Sequence, residues 1–450
     1  MYAQIYEYFR SNIETGQFKR GMRLPSVRIL AAENGISKIT VEQAYTQLAT
    51  EGYIKAHNRS PYEVVGDFNE GPSFTMQNPV TETIVTPLYE EQRNSNQQVI
   101  YNFGSGAMDP EGFDYGRWKR MIGHVLRKPE ALLAYGDQLG EPTLRKALMQ
   151  YLESARGVKT TMQQIVVGNG TQTMLAFIAS LLARTEKKPL CIAVKAEDYN
   201  DVGSIFEDYG FSVYVIRPKE DIINSFYREH INVYYCTPSH DSRTGEIMPI
   251  TRRKELLQWA YETNSYIIED DYDSELRYYG RPIMSLQGLD TQNRVIYVSA
   301  PSKVLPPSIR LSYMVLPPVL LEQMYTCRSR FRQTASGMEQ LVFAEYIFSG
   351  EWGKQIRRLR KHYQEKSKYM VKLIERHLGD KVKTYRPEGG VYVELDVTTK
   401  KSARDLQQMA LDAGCSVRIV QNRILLSFSS IATEKLEAAI LQLADAWRTM

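Results

Sequence analysis

Short apolar runs alternate with helical patterns through the middle of this 450-residue chain, and that alternation leaves few folds open. Ile165–Val167 leads into Gly168-Asn169-Gly170-Thr171-Gln172 and a helical pattern that reaches Leu182. Leu190–Val194, Phe211–Ile216, Ile231–Cys236, Tyr266–Glu269 and Val295–Val298 follow as buried strands. Strands that alternate with helices in this way form a mostly parallel sheet covered by helices, whose ligands sit at the strand carboxyl ends. Beyond residue 320 the pattern changes to long helices, then short strands around Val391–Leu395, Ser416–Val420 and Ile424–Phe428. The expectation is an α/β fold with a smaller C-terminal subdomain.

Two of those strand ends carry specific chemistry. Val295–Val298 runs into Ser299-Ala-Pro-Ser302-Lys303, and Arg310 follows. A lysine at such an end can form a Schiff base while a nearby guanidinium holds a phosphate. Tyr266-Ile-Ile-Glu-Asp270-Asp-Tyr272 ends in acid and phenol. Asp270 is placed to pair with a pyridinium nitrogen and Tyr272 to hydrogen-bond a ring oxygen, the partners that pyridoxal 5'-phosphate needs as an electron sink. Gly170, Thr171 and Gln172 open a helix, where free N–H groups and the helix dipole favour an anion. A plain helix cap is the other reading of that short motif.

Composition excludes several classes. Apolar content of 43% and charged content of 24% are those of a globular protein with a large core. No run of about 18 apolar residues is present, so a membrane span is not expected. The first ten residues are an amphipathic helix pattern without a secretory apolar core, and the expected compartment is cytoplasmic. Cys191, Cys236, Cys327 and Cys415 are far apart and read as reduced thiols, with no metal site implied. A net charge of +4 is too small to argue nucleic-acid binding by itself.

Residues 1–66 have a different grammar. Residues 1–14 carry apolar positions at helical spacing, Leu24-Pro25-Ser26-Val27-Arg28 opens a second helix, and Ser37 caps a third that runs to Leu48. Gly52-Tyr-Ile-Lys55 and Tyr62-Glu-Val-Val65 read as strands around the tip His57-Asn-Arg59-Ser60. Three helices and a two-stranded ribbon make a winged helix-turn-helix, whose third helix enters the major groove. Leu-Pro-Ser-x-Arg, Gly-Ile-Ser-Lys-x-Thr-Val and Leu-x-x-Glu-Gly-Tyr resemble the DNA-binding domain of GntR-type bacterial regulators. The resemblance implies Arg28, Ser37, Lys38 and Thr40 as contacts to double-stranded operator DNA, with His57 and Arg59 at the wing tip. The wing departs from the family's Gly-rich pattern, having Ser60-Pro61-Tyr62. Residues 67–98 have little periodicity and read as an interdomain linker, which leaves 99–450 as the second domain.

That second domain resembles the fold-type I aminotransferases. Tyr135-Gly-Asp-x-x-Gly140-x-x-x-Leu-Arg145, Gly168-Asn-Gly-Thr-Gln172, Asp270-Asp-Tyr272, Ser302-Lys303 and Arg310 carry the likeness. Joined to a GntR-like domain, it has the arrangement of the MocR/GabR regulators. The resemblance implies Lys303 as the Schiff-base lysine of pyridoxal phosphate, Asp270 on the pyridinium nitrogen and Tyr272 on the ring oxygen. It implies Ser302 and Arg310 on the phosphate, Tyr199 stacked on the ring, and Arg423 clamping the carboxylate of an amino-acid or amine effector. A surface charge on a strand is the other reading of Arg423, and choosing Asp270 over Asp271 rests on family spacing. Thr237-Pro-Ser-His240-Asp-Ser-Arg-Thr-Gly245 stands where aminotransferases read Asn-Pro-Thr-Gly, so their amide donor is out of place. The expected function is a homodimeric transcriptional regulator that senses an amine through exchange at Lys303. The alternative is a working aminotransferase with an appended domain.

Overall fold

Tyr6, Phe9 and Ile13 recur at the spacing of a helix face, and in the computed structural model they are the buried stripe of α1 (Tyr2–Glu14). The structure describes residues 1–57, 60–66, 99–185, 189–217, 220–241, 246–279, 283–327, 332–385, 389–420 and 423–448. The chain divides into two compact units, residues 1–95 and 96–450. The expected linker, 67–98, lies outside the described residues, as do Arg59, the side chain of His57 and residues 242–245.

In the first unit, α2 (Val27–Glu33) starts at Ser26, whose Oγ accepts from the Ile29 N–H at 3.3 Å. Ser37 occupies the cap position of α3 (Lys38–Thr50), but its side chain makes no capping bond, which corrects the sequence expectation. α3 buries Val41, Ala44, Tyr45 and Leu48 at helical spacing against Phe9, Ile13 and Leu24. Lys38, Ile39, Glu42, Gln43 and Thr46 are left exposed on the other side. β1 (Ile54–His57) and β2 (Ser60–Val64) pair antiparallel, with Ile54 opposite Val64. Arg23 bridges Glu63, so the chain before α2 runs along the ribbon.

The second unit is built on a seven-stranded sheet. After β3 (Tyr101–Asn102) come β4 (Ile165–Gly168), β5 (Cys191–Lys195), β6 (Ser212–Ile216), β7 (Val233–Cys236), β8 (Tyr266–Asp270), β9 (Val295–Ser299) and β10 (Ser312–Val315). Their order in the sheet is β4-β10-β9-β8-β7-β5-β6. β6, β5, β7, β8 and β9 run parallel, as the alternation requires. Successive side chains reach opposite faces. Ile268, Ile296 and Val298 enter one core, while Ile267 and Val295 enter the other. Both faces are therefore covered. β10 was not expected as a strand. It is antiparallel to both neighbours, with Ser312 opposite Gly168 and Tyr313 opposite Ser299. That direction sets its first residue beside the carboxyl ends of β4 and β9, and so delivers the preceding Arg310 to the mouth of the sheet.

The smaller sheet holds β11 (Val382–Tyr385), β12 (Tyr392–Val397), β14 (Arg418–Val420) and β15 (Arg423–Ser427), all antiparallel, in the order β11-β12-β15-β14. The strand expected over Ser416–Val420 is split at Val417. β13 (Cys415–Ser416) pairs instead with β3, which ties the start of this unit into its C-terminal subdomain. Among the described residues, no helix is long and apolar enough to cross a membrane.

Leu48 is fully buried where α3 meets the first unit's core. Leu48→Ala is expected to cost that unit about 2–5 kcal/mol. In calorimetry of the whole chain this reads as an earlier first transition, with the transition of residues 96–450 unmoved.

Candidate functional site

Asp270 and Asp271 stand at the end of β8, and the two-residue period of a strand sends their side chains to opposite faces. Asp271 points to the side of Tyr297, whose hydroxyl donates to Asp271 Oδ2 at 2.5 Å. The Arg156 guanidinium meets the same carboxylate at 2.8 Å, and both side chains are almost wholly buried. Arg156 is further fixed by the Ile283 carbonyl and Ser239 Oγ. Asp271 is thus fully committed. Asp270 points to the side of Tyr235, which donates to Oδ2 at 2.6 Å. Its Oδ1 is buried and has no partner among the described residues. Burial, with Asp271, Asp198 and Asp273 nearby, pushes the Asp270 carboxyl up to about 7 despite the Tyr235 hydrogen bond.

Lys303 lies in the loop after β9, the strand next to β8, and Asp270 is in register with Val298. Lys303 Nζ donates to the Gly106 carbonyl at 2.7 Å. Burial lowers the pKa of this amine; Asp273 opposes the shift and Arg418 adds to it. A Cβ on Gly106 would fall 2.6 Å from Tyr392 Oη and 2.8 Å from Lys303 Nζ, so a larger residue would push these side-chain ends aside. The Arg418 guanidinium in turn lies over the Tyr392 ring, 5.6 Å from its centre.

Tyr272 follows the two acids. Its hydroxyl lies 3.2 Å from His240 Nδ1 and 3.4 Å from the His240 carbonyl. Burial, with Asp273 and Asp270, holds this phenol well above its usual pKa, so it keeps its hydrogen. At the far end of the same mouth, Gly170, Thr171, Ser302 and Arg310 line one hollow together with apolar residues of the 300–311 loop. Gly170 has φ +113°, and a Cβ there would collide with the Arg310 guanidinium. Its N–H donates to Ser312 Oγ at 2.8 Å, just ahead of the helix Thr171–Thr185. Cation, hydroxyls and a helix N-terminus converge there, as an anion requires.

Not every expected residue joins this group. Gln172 is exposed and is not part of the hollow's lining. Tyr199 sits in a π-helical turn, Tyr199–Gly203, its ring half-buried and its hydroxyl given to Glu207 at 2.9 Å. Arg423 is turned elsewhere. It pairs with Glu394, lies over the Tyr385 ring, and its side chain is 58% exposed. Arg418, on the neighbouring strand β14, is the arginine whose charge is felt at Lys303 and Tyr272. In the first unit, Arg28, Ser37 and Lys38 are exposed and Thr40 is half-buried, all at the start of α2 or α3. Sequence reasoning missed Gly106, Tyr392 and Asp273. Asp273 continues the Asp-Asp-Tyr motif and was the most readable of the three.

Comparison with known proteins agrees with both units. Residues 1–64 match the family model of bacterial regulatory proteins, gntR family, and residues 100–442 match aminotransferase class I and II. The chain is 35% identical to the uncharacterized HTH-type transcriptional regulator YdeL of Bacillus subtilis, over 100% of this chain and 97% of that protein. It is 30% identical to the probable rhizopine catabolism regulatory protein MocR of Rhizobium meliloti, over 84% of this chain and 78% of the other. The pyridoxine biosynthesis regulator PdxR of Corynebacterium glutamicum is 27% identical, over 99% and 95%. Among solved structures, the kynurenine aminotransferase of Pyrococcus horikoshii superposes with a TM-score of 0.68 at 24% identity, covering 85% of this chain and 98% of that one. Fold and site together define a transcriptional regulator whose second domain has the aminotransferase fold and takes pyridoxal phosphate. The chain belongs to the MocR-type family, HTH-type regulators that join a gntR-family domain to an aminotransferase class I and II domain.

The two adjacent acids give opposite expectations. Asp271→Ala strands a buried guanidinium and should cost about 3–5 kcal/mol in denaturant unfolding of residues 96–450. Asp270→Asn keeps the Tyr235 bond and removes a buried carboxylate whose pKa is raised in the folded state. An acid raised in this way gives its full stability below the unfolded pKa, near 4, and loses it as pH rises toward about 7. Asp270→Asn should therefore be more stable than the parent at pH 8 and no more stable at pH 4.

Proposed function

We propose that this chain is a cytoplasmic, homodimeric regulator that binds operator DNA through its first unit and senses an amino-bearing acid at Lys303. Asp270 Oδ1, an acceptor left open in a buried place, fits the ring N–H of pyridoxal phosphate. The hollow formed by Gly170, Thr171, Ser302 and Arg310 fits its phosphate, and Tyr272 its ring oxygen. When bound, the cofactor supplies an aldehyde carbon that condenses with amines and a ring that withdraws electrons. Lys303 is the resident amine, and its lowered pKa leaves more of it uncharged and reactive. An acid group on the effector meets Arg418, which stands nearer Lys303 than Arg423 does in electrostatic terms. Two chains supply the two reading helices that a twofold DNA site needs.

The observation that carries this reading is the Lys303 Nζ bond to Gly106. Gly106 belongs to the stretch that directly continues residues 67–98 from the DNA-binding unit. The same stretch accepts from the C-terminal subdomain: Ser427 N–H gives to the Phe103 carbonyl at 2.7 Å, and Ser430 Oγ to the Asn102 carbonyl at 2.6 Å. An amine that takes the place of Lys303 frees Nζ to hold Gly106. A ligand shifts an equilibrium only by its differential affinity for two states, and this hydrogen bond is such a difference.

A working aminotransferase is the second reading, favoured by the intact set Lys303, Asp270 and Tyr272. The segment from Thr237 to His240, with histidine beside Tyr272 rather than an amide, favours the regulator. Amino and keto acids assayed for turnover, alongside gel shift on the DNA upstream of the chain's own gene, separate the two. The regulator reading predicts shifts that respond to an amino acid, with at most slow half-turnover. Rapid multiple turnover with no effect on DNA would overturn it. Lys303→Ala should abolish the response to effector and the lysine-dependent visible absorption while DNA binding persists. A response that survives in Lys303→Ala sinks the mechanism. Arg28→Ala and Thr40→Ala should each weaken operator binding by about 1–3 kcal/mol without loss of cofactor absorption. Unchanged affinity in both would remove α2 and α3 as the reading elements.

A further inference from the structure

His240 lies in a segment where the sequence departs from aminotransferases, and its side chain is held from two sides. Nδ1 is 2.5 Å from Asp273 Oδ2. That nitrogen carries the hydrogen, because a bare lone pair so close to a carboxylate oxygen would repel it. The Tyr272 hydroxyl is 3.2 Å from the same nitrogen, and the two rings stand 6.1 Å apart at 37°. Tyr272 Oη is thus within reach of the Nδ1–H as a secondary acceptor, and its own hydrogen, given to the His240 carbonyl over a long 3.4 Å, is weakly held and can turn to a better acceptor.

The pair is built in from every side. Asp241 follows His240 and is itself tied to Lys195. Arg156 and Arg277 line the small hollow that His240 and Asp273 share with Gly389 and Gly390. Gly390 has φ +74°, and a Cβ on it would lie 2.8 Å from His240 Cε1 and 3.3 Å from Asp273 Oδ2. Tyr278 Oη holds the Gly390 carbonyl, so the loop ahead of β12 is pinned against the imidazole. Burial works against charge on His240, but Asp273 and Asp241 outweigh it and raise its pKa. Asp273 is also the acid felt at Lys303.

We propose that His240, clamped by Asp273, is the positioning residue that turns the Tyr272 hydroxyl toward the cofactor's ring oxygen, in place of the amide that this chain lacks. The proposal rests on the reading of Tyr272 as the ring-oxygen partner. His240 touches Tyr272 and acts through it. The loop Gly389–Gly390 of the C-terminal subdomain forms the other wall, so a movement of that subdomain is passed to the ring oxygen by way of the imidazole.

The test is a pH titration of the visible band of bound pyridoxal phosphate in the full-length holo-protein. His240→Phe removes the donor from Tyr272 and leaves Asp273 uncompensated. Both changes disfavour negative charge at the ring oxygen and should raise the titration midpoint by about one pH unit. His240→Asn carries an N–H near the place of Nδ1 and should stay closer to the parent. It also serves if the phenylalanine variant loses the cofactor, since the proposal then requires its midpoint to move when Asp273→Asn is added. In a Tyr272→Phe background, replacing His240 should move the midpoint much less, because only the through-space charge of Asp273 then remains. A His240 effect of undiminished size without Tyr272 overturns the proposal, as does an unmoved midpoint in both histidine variants. If Tyr272→Phe alone leaves the midpoint unmoved, the underlying reading of Tyr272 fails instead.

Discussion

Two neighbouring carboxylates at the end of one strand cannot share a partner, and the architecture of the site follows from that. Asp271 is neutralised inside the protein by Arg156 and the Tyr297 hydroxyl. Its backbone N–H continues the ladder onto the Val298 carbonyl at 2.9 Å. β8 and β9 are thereby locked together at the point where their loops diverge. Asp270, one residue earlier and on the opposite face, receives a single hydrogen bond and keeps one oxygen open. A buried acceptor without a donor is costly, and this one stands at a strand end beside the loop of Lys303, where a ligand's donor would relieve the cost.

The regulator account depends on how a local exchange of amines is communicated. Residues 101–109 form a strap rather than a loose lead-in. β3 pairs with β13, Ser429 Oγ gives to the Ala107 carbonyl, and Asp109 is buried against Lys366 and His362 of the long helix Glu351–Leu378. Lys303 holds the middle of that strap at Gly106. Lys303 Nζ thus bonds a segment that is itself tied to the C-terminal subdomain. These contacts lie on the stretch of chain that follows the DNA-binding domain and residues 67–98.

Much of this was legible in the sequence, and for identifiable reasons. The parallel strands announced themselves as apolar runs because both faces of the sheet are covered. The order of Asp270, Tyr272, Lys303 and Arg310 was readable because each lies at or just beyond a strand end of the large sheet, where such sheets place their ligands. β10 was not legible: Ser312–Val315 is short, and its antiparallel pairing with β4 is made with residues far back in the chain. Arg423 was read from its place in a motif, while its Glu394 partner lies on the neighbouring strand β12. The choice between Asp270 and Asp271 needed the parity of a strand whose ends are fixed only by folding. His240 looked like a lost amide because Asp273 and Gly390 approach it from separate segments, one of them 150 residues away.

The central claim is that cofactor chemistry at Lys303 and DNA affinity form one equilibrium. Visible absorption and operator binding should be followed together in a single titration of the holo-protein with each of a panel of amino acids. The account predicts at least one amino acid for which the absorption and the anisotropy of labelled operator DNA change with the same midpoint, and it predicts that the two midpoints move together in Arg418→Ala. Absorption changes that saturate while DNA affinity stays constant, for every amino acid tried, would contradict it.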